Sequence, residues 1–307
     1  MAHSAHHSND HGNAGHGHDD HGHDHGSPGG HAHPSHVVFR IARQDTPGGQ
    51  RYWQSFAVPY TPGMNVISAL QAIAAQPVPM GESAPVAPVA WDCNCLEEVC
   101  GACTMVINGR VRQACSALID SLPPTDSGEI ELEPMGKYPV VRDLVVDRAR
   151  IFHGLKKVHA WIPVDGYYLG GPADRQSPAD QEEAYPLSTC MSCGCCMEAC
   201  PQYTKIEVAR EGGEAAADHE KRQAAEFDQG FLGAAIISQA VLFNSHPTGK
   251  LTKAERLEGM MGPGGITDCG NSQNCVKVCP KNIPLTRSIA KAGRDTSIHA
   301  IKRWLGK

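Results

Sequence analysis

Hydrophobic and polar positions change their rhythm once along this chain. In the first part they alternate. Val37–Arg43 and Tyr52–Tyr60 are rich in β-branched and aromatic residues and flank the turn-forming Pro47-Gly48-Gly49, which predicts two strands. Val66, Ala69, Leu70 and Ile73 then recur at helical spacing behind Asn65, a residue suited to cap a helix. After a Pro-rich connection from Pro77 to Pro88, Thr104–Ile107 and Val111–Ala117 flank Asn108-Gly109, a strong hairpin signal. A further alternating run, Glu129–Glu133, closes this half. From Val141 the pattern becomes helical: Leu144, Val145 and Ala149 lie on one face of a segment running toward Pro163. The apolar stretch Phe231–Phe243 and a terminal segment from about Pro284 to Leu305 predict further helices, with Pro284 in a first turn where its missing N–H costs nothing. The fold class is therefore α+β, with the change from strands to helices near Pro134–Pro139.

Composition narrows what such a chain does. Its 307 residues suggest two folded domains, here 37–136 and 137–307, and 41% hydrophobic residues supply a core. The formal net charge of −6 argues against a nucleic-acid surface. Residues 1–36 form a low-complexity tail with twelve of the seventeen histidines. Such a segment buries too little to offset its ordering entropy and is expected to be disordered, with at most loose affinity for Ni, Zn or Cu. Residues 208–229 are unusually polar and helix-favouring, and read as an insertion only relative to the family resembled below. The apolar stretch around Phe231 contains Ser238 and Gln239 and is too short to span a bilayer. Thirteen cysteines, bunched and without a leader segment, point to metal ligation in a reducing cytoplasm rather than to a secreted disulfide framework.

Those cysteines fall into three groups. Cys95, Cys100 and Cys103, followed by Cys115, have the plant-type [2Fe–2S] spacing, with Cys115 returned to the loop by the Asn108-Gly109 hairpin. A zinc ribbon would show two C-x2-4-C knuckles instead, which the leading x4 gap and the lone distant Cys115 fit poorly. Strands, one helix and this cysteine loop together predict a small β-grasp domain like that of plant-type ferredoxins. Further on, Cys190, Cys193, Cys196 and Cys200 precede Pro201, and Cys269, Ser272, Cys275 and Cys279 precede Pro280, each position 79 residues after its counterpart. This is the ruler of two-cluster ferredoxins, in which the fourth cysteine of each run binds the other cluster. Crossed ligation assigns Cys190, Cys193, Cys196 and Cys279 to a [4Fe–4S] cluster. Cys200, Cys269 and Cys275 remain for the other, and Ser272 in the fourth place predicts [3Fe–4S], since a hydroxyl is a poor iron ligand at neutral pH. Cys93 and Cys195 are out of register and are expected to be non-ligand thiols.

Three cluster motifs in this order resemble the iron–sulfur subunits of succinate dehydrogenase and fumarate reductase. The resemblance runs from Val37 to the C-terminus. It includes Trp91-Asp92, the Asn94–Cys103 stretch, Pro139–Leu144 at the junction and both ferredoxin rulers, and is nearest the menaquinone-linked bacterial branch. It implies an electron-transfer subunit with no catalytic residues of its own. The implied path runs from the FAD of a flavoprotein subunit through [2Fe–2S], [4Fe–4S] and [3Fe–4S] to menaquinone. The implied quinone site is at a membrane-anchor subunit with haem b, on the cytoplasmic face of the inner membrane. Ubiquinone-reducing relatives carry tryptophans after the Cys-Pro and a histidine after the first cysteine of the last run. Here Gln202-Tyr203-Thr204-Lys205 and Gly270 stand there, so the quinone-site residues are left unassigned. The same subunit would serve a quinol:fumarate reductase. Other classes are a soluble multi-cluster ferredoxin-like carrier and a zinc-stabilised binding module. His153, His159 and His246 are isolated and read as surface or packed residues rather than a proton relay.

Overall fold

The computed structural model describes residues 34–123, 125–162 and 175–306. Residues 1–33 of the expected tail lie outside them, and strand β1 (His36–Arg43) already includes His36. Strand β1 pairs antiparallel with β2 (Tyr52–Pro59) along its length, from His36 opposite Pro59 to Arg43 opposite Tyr52. The second hairpin joins β3 (Thr104–Ile107) to β4 (Arg110–Gln113), with Asn108 and Gly109 at φ +48° and +71° as a type I′ turn requires. Asn108 is held there by its carboxamide, which donates to Pro123 O (2.9 Å) and accepts from Glu131 N (2.8 Å). That second bond also sets the register of β5 (Ile130–Glu133), which runs parallel to β1 and antiparallel to β3. The sheet order is β2-β1-β5-β3-β4.

Helix α1 (Val66–Ala75) begins where Asn65 Oδ1 accepts from Ser68 N at 2.9 Å. It buries Val66, Ala69, Leu70 and Ile73 in one core with Phe39, Ile41, Met105, Ile107 and Leu132. The run expected to continue as strand to Ala117 stops at Gln113, and the turn that follows carries Cys115.

The largest departure from expectation lies after Pro139. The stretch that read as helix from Val141 first forms a small antiparallel ribbon, β6 (Val140–Arg142) and β7 (Val145–Val146). Asp143 reverses the chain at φ +46°. A non-local interaction overrides the helical pattern here: the Asp143 carboxylate accepts from Arg43 Nε (2.9 Å), Gln44 N (3.1 Å) and Ala90 N (2.8 Å). Both partners of this ion pair are buried. The helix itself, α2, is confined to Ala149–Lys157, and its expected end at Pro163 lies outside the described residues.

The other helices are α3 (Pro178–Ser188), α4 (Cys195–Glu198), α5 (Ala216–Gln229), α6 (Ala234–Ser245), α7 (Lys253–Gly259), α8 (Asn274–Lys277) and α9 (Leu285–Trp304). Helix α6 is apolar nearly all round and packs against α3 and α9, as a core helix does. It starts at Ala234 rather than Phe231 because Gly233 turns the chain at φ +87°, where a Cβ would stand 2.9 Å from Met197 Cγ. The polar segment 208–229 forms helix α5 over Ala216–Gln229 and is not helical before it. Its end docks on α2 through Phe227, buried beside the His153 ring, and through His153 Nε2 with Asp228 Oδ1 at 2.9 Å. His159 lies 3.6 Å from Glu255, and His246 Nδ1 accepts from Gly249 N. Each of the three histidines thus has a local structural partner.

Candidate metal centres

The first cysteine loop is shaped to present sulfur. Leu96, Glu98 and Gly101 take φ of +61°, +55° and +73°, which curls the backbone so that its N–H groups face inward. Three of them, on Glu97, Val99 and Cys100, donate to Cys95 Sγ at 3.3–3.4 Å, and Ala102 N donates to Cys100 Sγ at 3.5 Å. These bonds hold the Cys95 thiol down at about 7, in the range where the thiolate is available to a metal. Cys103 and Cys115 close the loop from beneath and are buried; burial, with the hydrogen bond to Cys103, pushes Cys115 up to about 11. Cys93 lies within electrostatic reach of Cys95, Cys100 and Cys115, and its thiol is raised by burial.

The two ferredoxin runs repeat in backbone as well as in sequence. Helices α4 and α8 are separated by the same 79 residues as the cysteines. Ser192 and Asn271 match at φ +52° and +50°, and Gly194 and Gln273 both take positive φ. The turn bonds recur in step: Cys200 N to Met197 O and Cys279 N to Val276 O, then Tyr203 N to Cys200 O and Asn282 N to Cys279 O. This symmetry sends the last cysteine of each run toward the other run. One cavity is lined by Cys190, Cys193, Cys196 and Cys279 and also by Cys195, and a second by Cys200, Cys269, Ser272 and Cys275. Thus the structure brings together each set expected from crossed ligation, with Ser272 beside the second. Among the described residues no three His, Cys, Asp or Glu side chains converge on one ion position. A cluster asks instead for thiolates spread over separate irons, and these donor sets suit that chemistry.

Burial raises the Cys190, Cys196 and Cys275 thiols, so they ionise readily only against positive charge such as iron supplies. Cys193 is the exception, held down at about 7 by a hydrogen bond from Cys195 and by the Arg148 guanidinium.

Comparison with known proteins decides the family. Residues 38–153 match the 2Fe-2S iron-sulfur cluster binding domain, and residues 186–283 match the 4Fe-4S dicluster domain. The chain is 50% identical over 271 residues to the succinate dehydrogenase iron-sulfur subunit of Bacillus subtilis, covering 88% of this chain and 96% of that one. The chain belongs to the succinate dehydrogenase iron–sulfur subunit family. A fumarate reductase iron-sulfur subunit of Wolinella succinogenes is 30% identical over 202 residues, covering 65% of this chain and 74% of that one. A chain of the Mycobacterium smegmatis Sdh1 complex in the apo form shares the fold at a TM-score of 0.64 and 21% identity, covering 85% of this chain and 95% of that chain.

In this iron–sulfur subunit of an oxidoreductase complex, electron transfer is the work of the chain. Among the described residues no helix is long and apolar enough to cross a membrane. Four residues join the two halves of the chain around the first two cysteine loops; the sequence marks Gly101 as a point of close backbone approach and gives no role to the other three. Gly101 is one: a Cβ there would stand 2.7 Å from Cys193 Cβ and 2.9 Å from Cys193 Cα. Arg148 is another, donating from its two Nη atoms to Gly101 O and Ala102 O, both at 2.7 Å. Glu198 of α4 is a third, accepting from Gly136 N (2.8 Å) and Lys137 N (3.0 Å) across the change from strands to helices. The last is Gln113, fully buried at the inward end of β4. A carboxamide two residues after Val111, on the same inward face of the strand, was the signal available for it.

Proposed function

We propose that this chain is the electron-transfer subunit of a succinate:menaquinone oxidoreductase. It would hold [2Fe–2S] on Cys95, Cys100, Cys103 and Cys115. Its [4Fe–4S] ligands would be Cys190, Cys193, Cys196 and Cys279, and its [3Fe–4S] ligands Cys200, Cys269 and Cys275. When bound, such clusters take up and release single electrons. The chain's own part is to fix the spacing of the centres, aim N–H donors at sulfur and keep the second and third centres dry. The flavoprotein partner would carry FAD and convert succinate, and a cytochrome b anchor would seat the complex on the cytoplasmic face of the membrane.

The observation that carries this reading is the grouping of thiols about two cavities, with a serine at the one place where a thiol is missing. Menaquinone is favoured by Gly270 and Gln202. Gln202 Nε2 lies 2.5 Å from where a Cβ on Gly270 would stand, so this glutamine occupies the space that a side chain at 270 would take and would have to move for a histidine there. The succinate-oxidising direction is favoured over fumarate reduction by the closer match to the Bacillus subtilis subunit than to the Wolinella succinogenes one. Purification of the complex from membranes tests the proposal. Expected are a flavin-bearing subunit, a haem-bearing subunit, about nine irons per chain, and faster succinate oxidation than fumarate reduction with a menaquinone analogue. A zinc-loaded, colourless preparation would sink it.

A further inference from the structure

Gln113, a polar side chain that belongs to neither ligand set, lies between the first cysteine loop and helix α4. Gln113 is 0% exposed. Its amide nitrogen is 2.8 Å from Thr104 Oγ1 and 3.4 Å from Cys195 Sγ, and its amide oxygen is 3.6 Å from Cys103 Sγ. Thr104 in turn donates its hydroxyl to Gly101 O at 2.8 Å. One carboxamide therefore touches an expected ligand of the first centre and the spare thiol next to an expected ligand of the second. Burying an amide among apolar strands is costly unless each of its polar atoms is used.

Resting on the ligand assignment above, we propose that Gln113 is a positioning residue that tunes the first centre through Cys103 and ties it to helix α4 through Cys195. As an iron ligand, Cys103 is a thiolate with no proton to give, so the end of the amide that can serve it is the NH₂ end. The amide oxygen then faces Thr104 Oγ1 and Cys195 Sγ, and it accepts from the Thr104 hydroxyl once that group rotates away from Gly101 O, which keeps Arg148 Nη1 as its donor. Every polar atom of the group keeps a partner. An N–H donor on the thiolate stabilises the reduced, more negative form of the centre, and its loss makes that form harder to reach.

The test is a redox titration of the purified complex, followed by the EPR signal of the reduced [2Fe–2S] centre, in wild type, Gln113→Met and Cys195→Ala. Gln113→Met keeps the shape and removes the donor. Its reduction equilibrium constant is expected to fall about tenfold, about 59 mV for a one-electron couple. Cys195→Ala leaves every expected ligand in place and removes one contact of the amide together with the hydrogen bond to Cys193. A smaller fall in the potential of the same first centre is expected, although Cys195 sits in the second centre's run. Unchanged first-centre potentials in an iron-replete Gln113→Met complex overturn the proposal. If that variant does not retain iron, an unchanged first-centre potential in Cys195→Ala overturns it. Absence of a [2Fe–2S] signal in wild type would instead overturn the ligand assignment on which it rests.

Discussion

Gly101 and Gly109 make a matched pair for testing how closely the first two cysteine loops must approach. Both hold φ near +70°, where an L side chain is strained, so alanine at either costs about 1–2 kcal/mol from the backbone alone. At Gly109, on the tip of the β3–β4 turn, nothing lies within 4 Å of the added Cβ. At Gly101 the Cβ meets Cys193 Cβ at 2.7 Å, Cys193 Cα at 2.9 Å and Met191 O at 3.2 Å. Two of these three atoms belong to the main chain, so no flexible side chain can step aside. Overpacking of that kind adds about 1–3 kcal/mol. Gly101→Ala should therefore cost about 2–5 kcal/mol against about 1–2 kcal/mol for Gly109→Ala. At about 2–4 °C per kcal/mol for a unit of this size, the two should separate by roughly 2–12 °C in the temperature at which the visible absorbance of the bound iron bleaches. Equal bleaching temperatures would refute the claim that the two loops are in direct contact.

Two further outcomes follow from individual groups. Asp143→Ala leaves the buried Arg43 guanidinium without its carboxylate and should destabilise the chain by about 3–5 kcal/mol. Adding Arg43→Met should recover much of that loss in thermal unfolding, whereas additive effects would show that the pair does not act as a unit. The Cys95 thiol is lowered from the ordinary value near 9 to about 7 by three backbone N–H groups. The thiolate's stabilisation is thus full above about pH 9 and disappears as pH falls through about 7. In the iron-free chain, alkylation followed residue by residue should reach half its maximal rate near pH 7 at Cys95 and near pH 11 at Cys115. A common midpoint for both would contradict the loop geometry.

What the sequence showed and what it hid divide along local and non-local causes. Asn65, Asn108-Gly109 and the 79-residue ruler act within a few positions of themselves, and cap, turn and repeat stand where they were expected. The β6–β7 ribbon was hidden because Leu144, Val145 and Ala149 share a helical face by spacing alone. The turn at Asp143 is set by Arg43, a hundred residues earlier. Helix α3 was hidden by composition: it is polar and contains Pro186, although Ser177 caps it by accepting from Asp180 N. In the site, each expected ligand set lines one loop or one cavity because cysteine spacing is itself a geometric specification. Gln113 and Arg148 were not visible, and Gly101 was visible as a point of close approach but not as a contact with Cys193, since these roles depend on which loops the fold brings together.

The central claim is that Ser272 makes the last two centres unequal. EPR of the oxidised complex, wild type beside Ser272→Cys, tests it most directly. The account predicts a [3Fe–4S] signal in oxidised wild type. In the variant that signal should vanish and be replaced, on reduction, by a second [4Fe–4S] signal. An oxidised spectrum that the substitution leaves unchanged would contradict it.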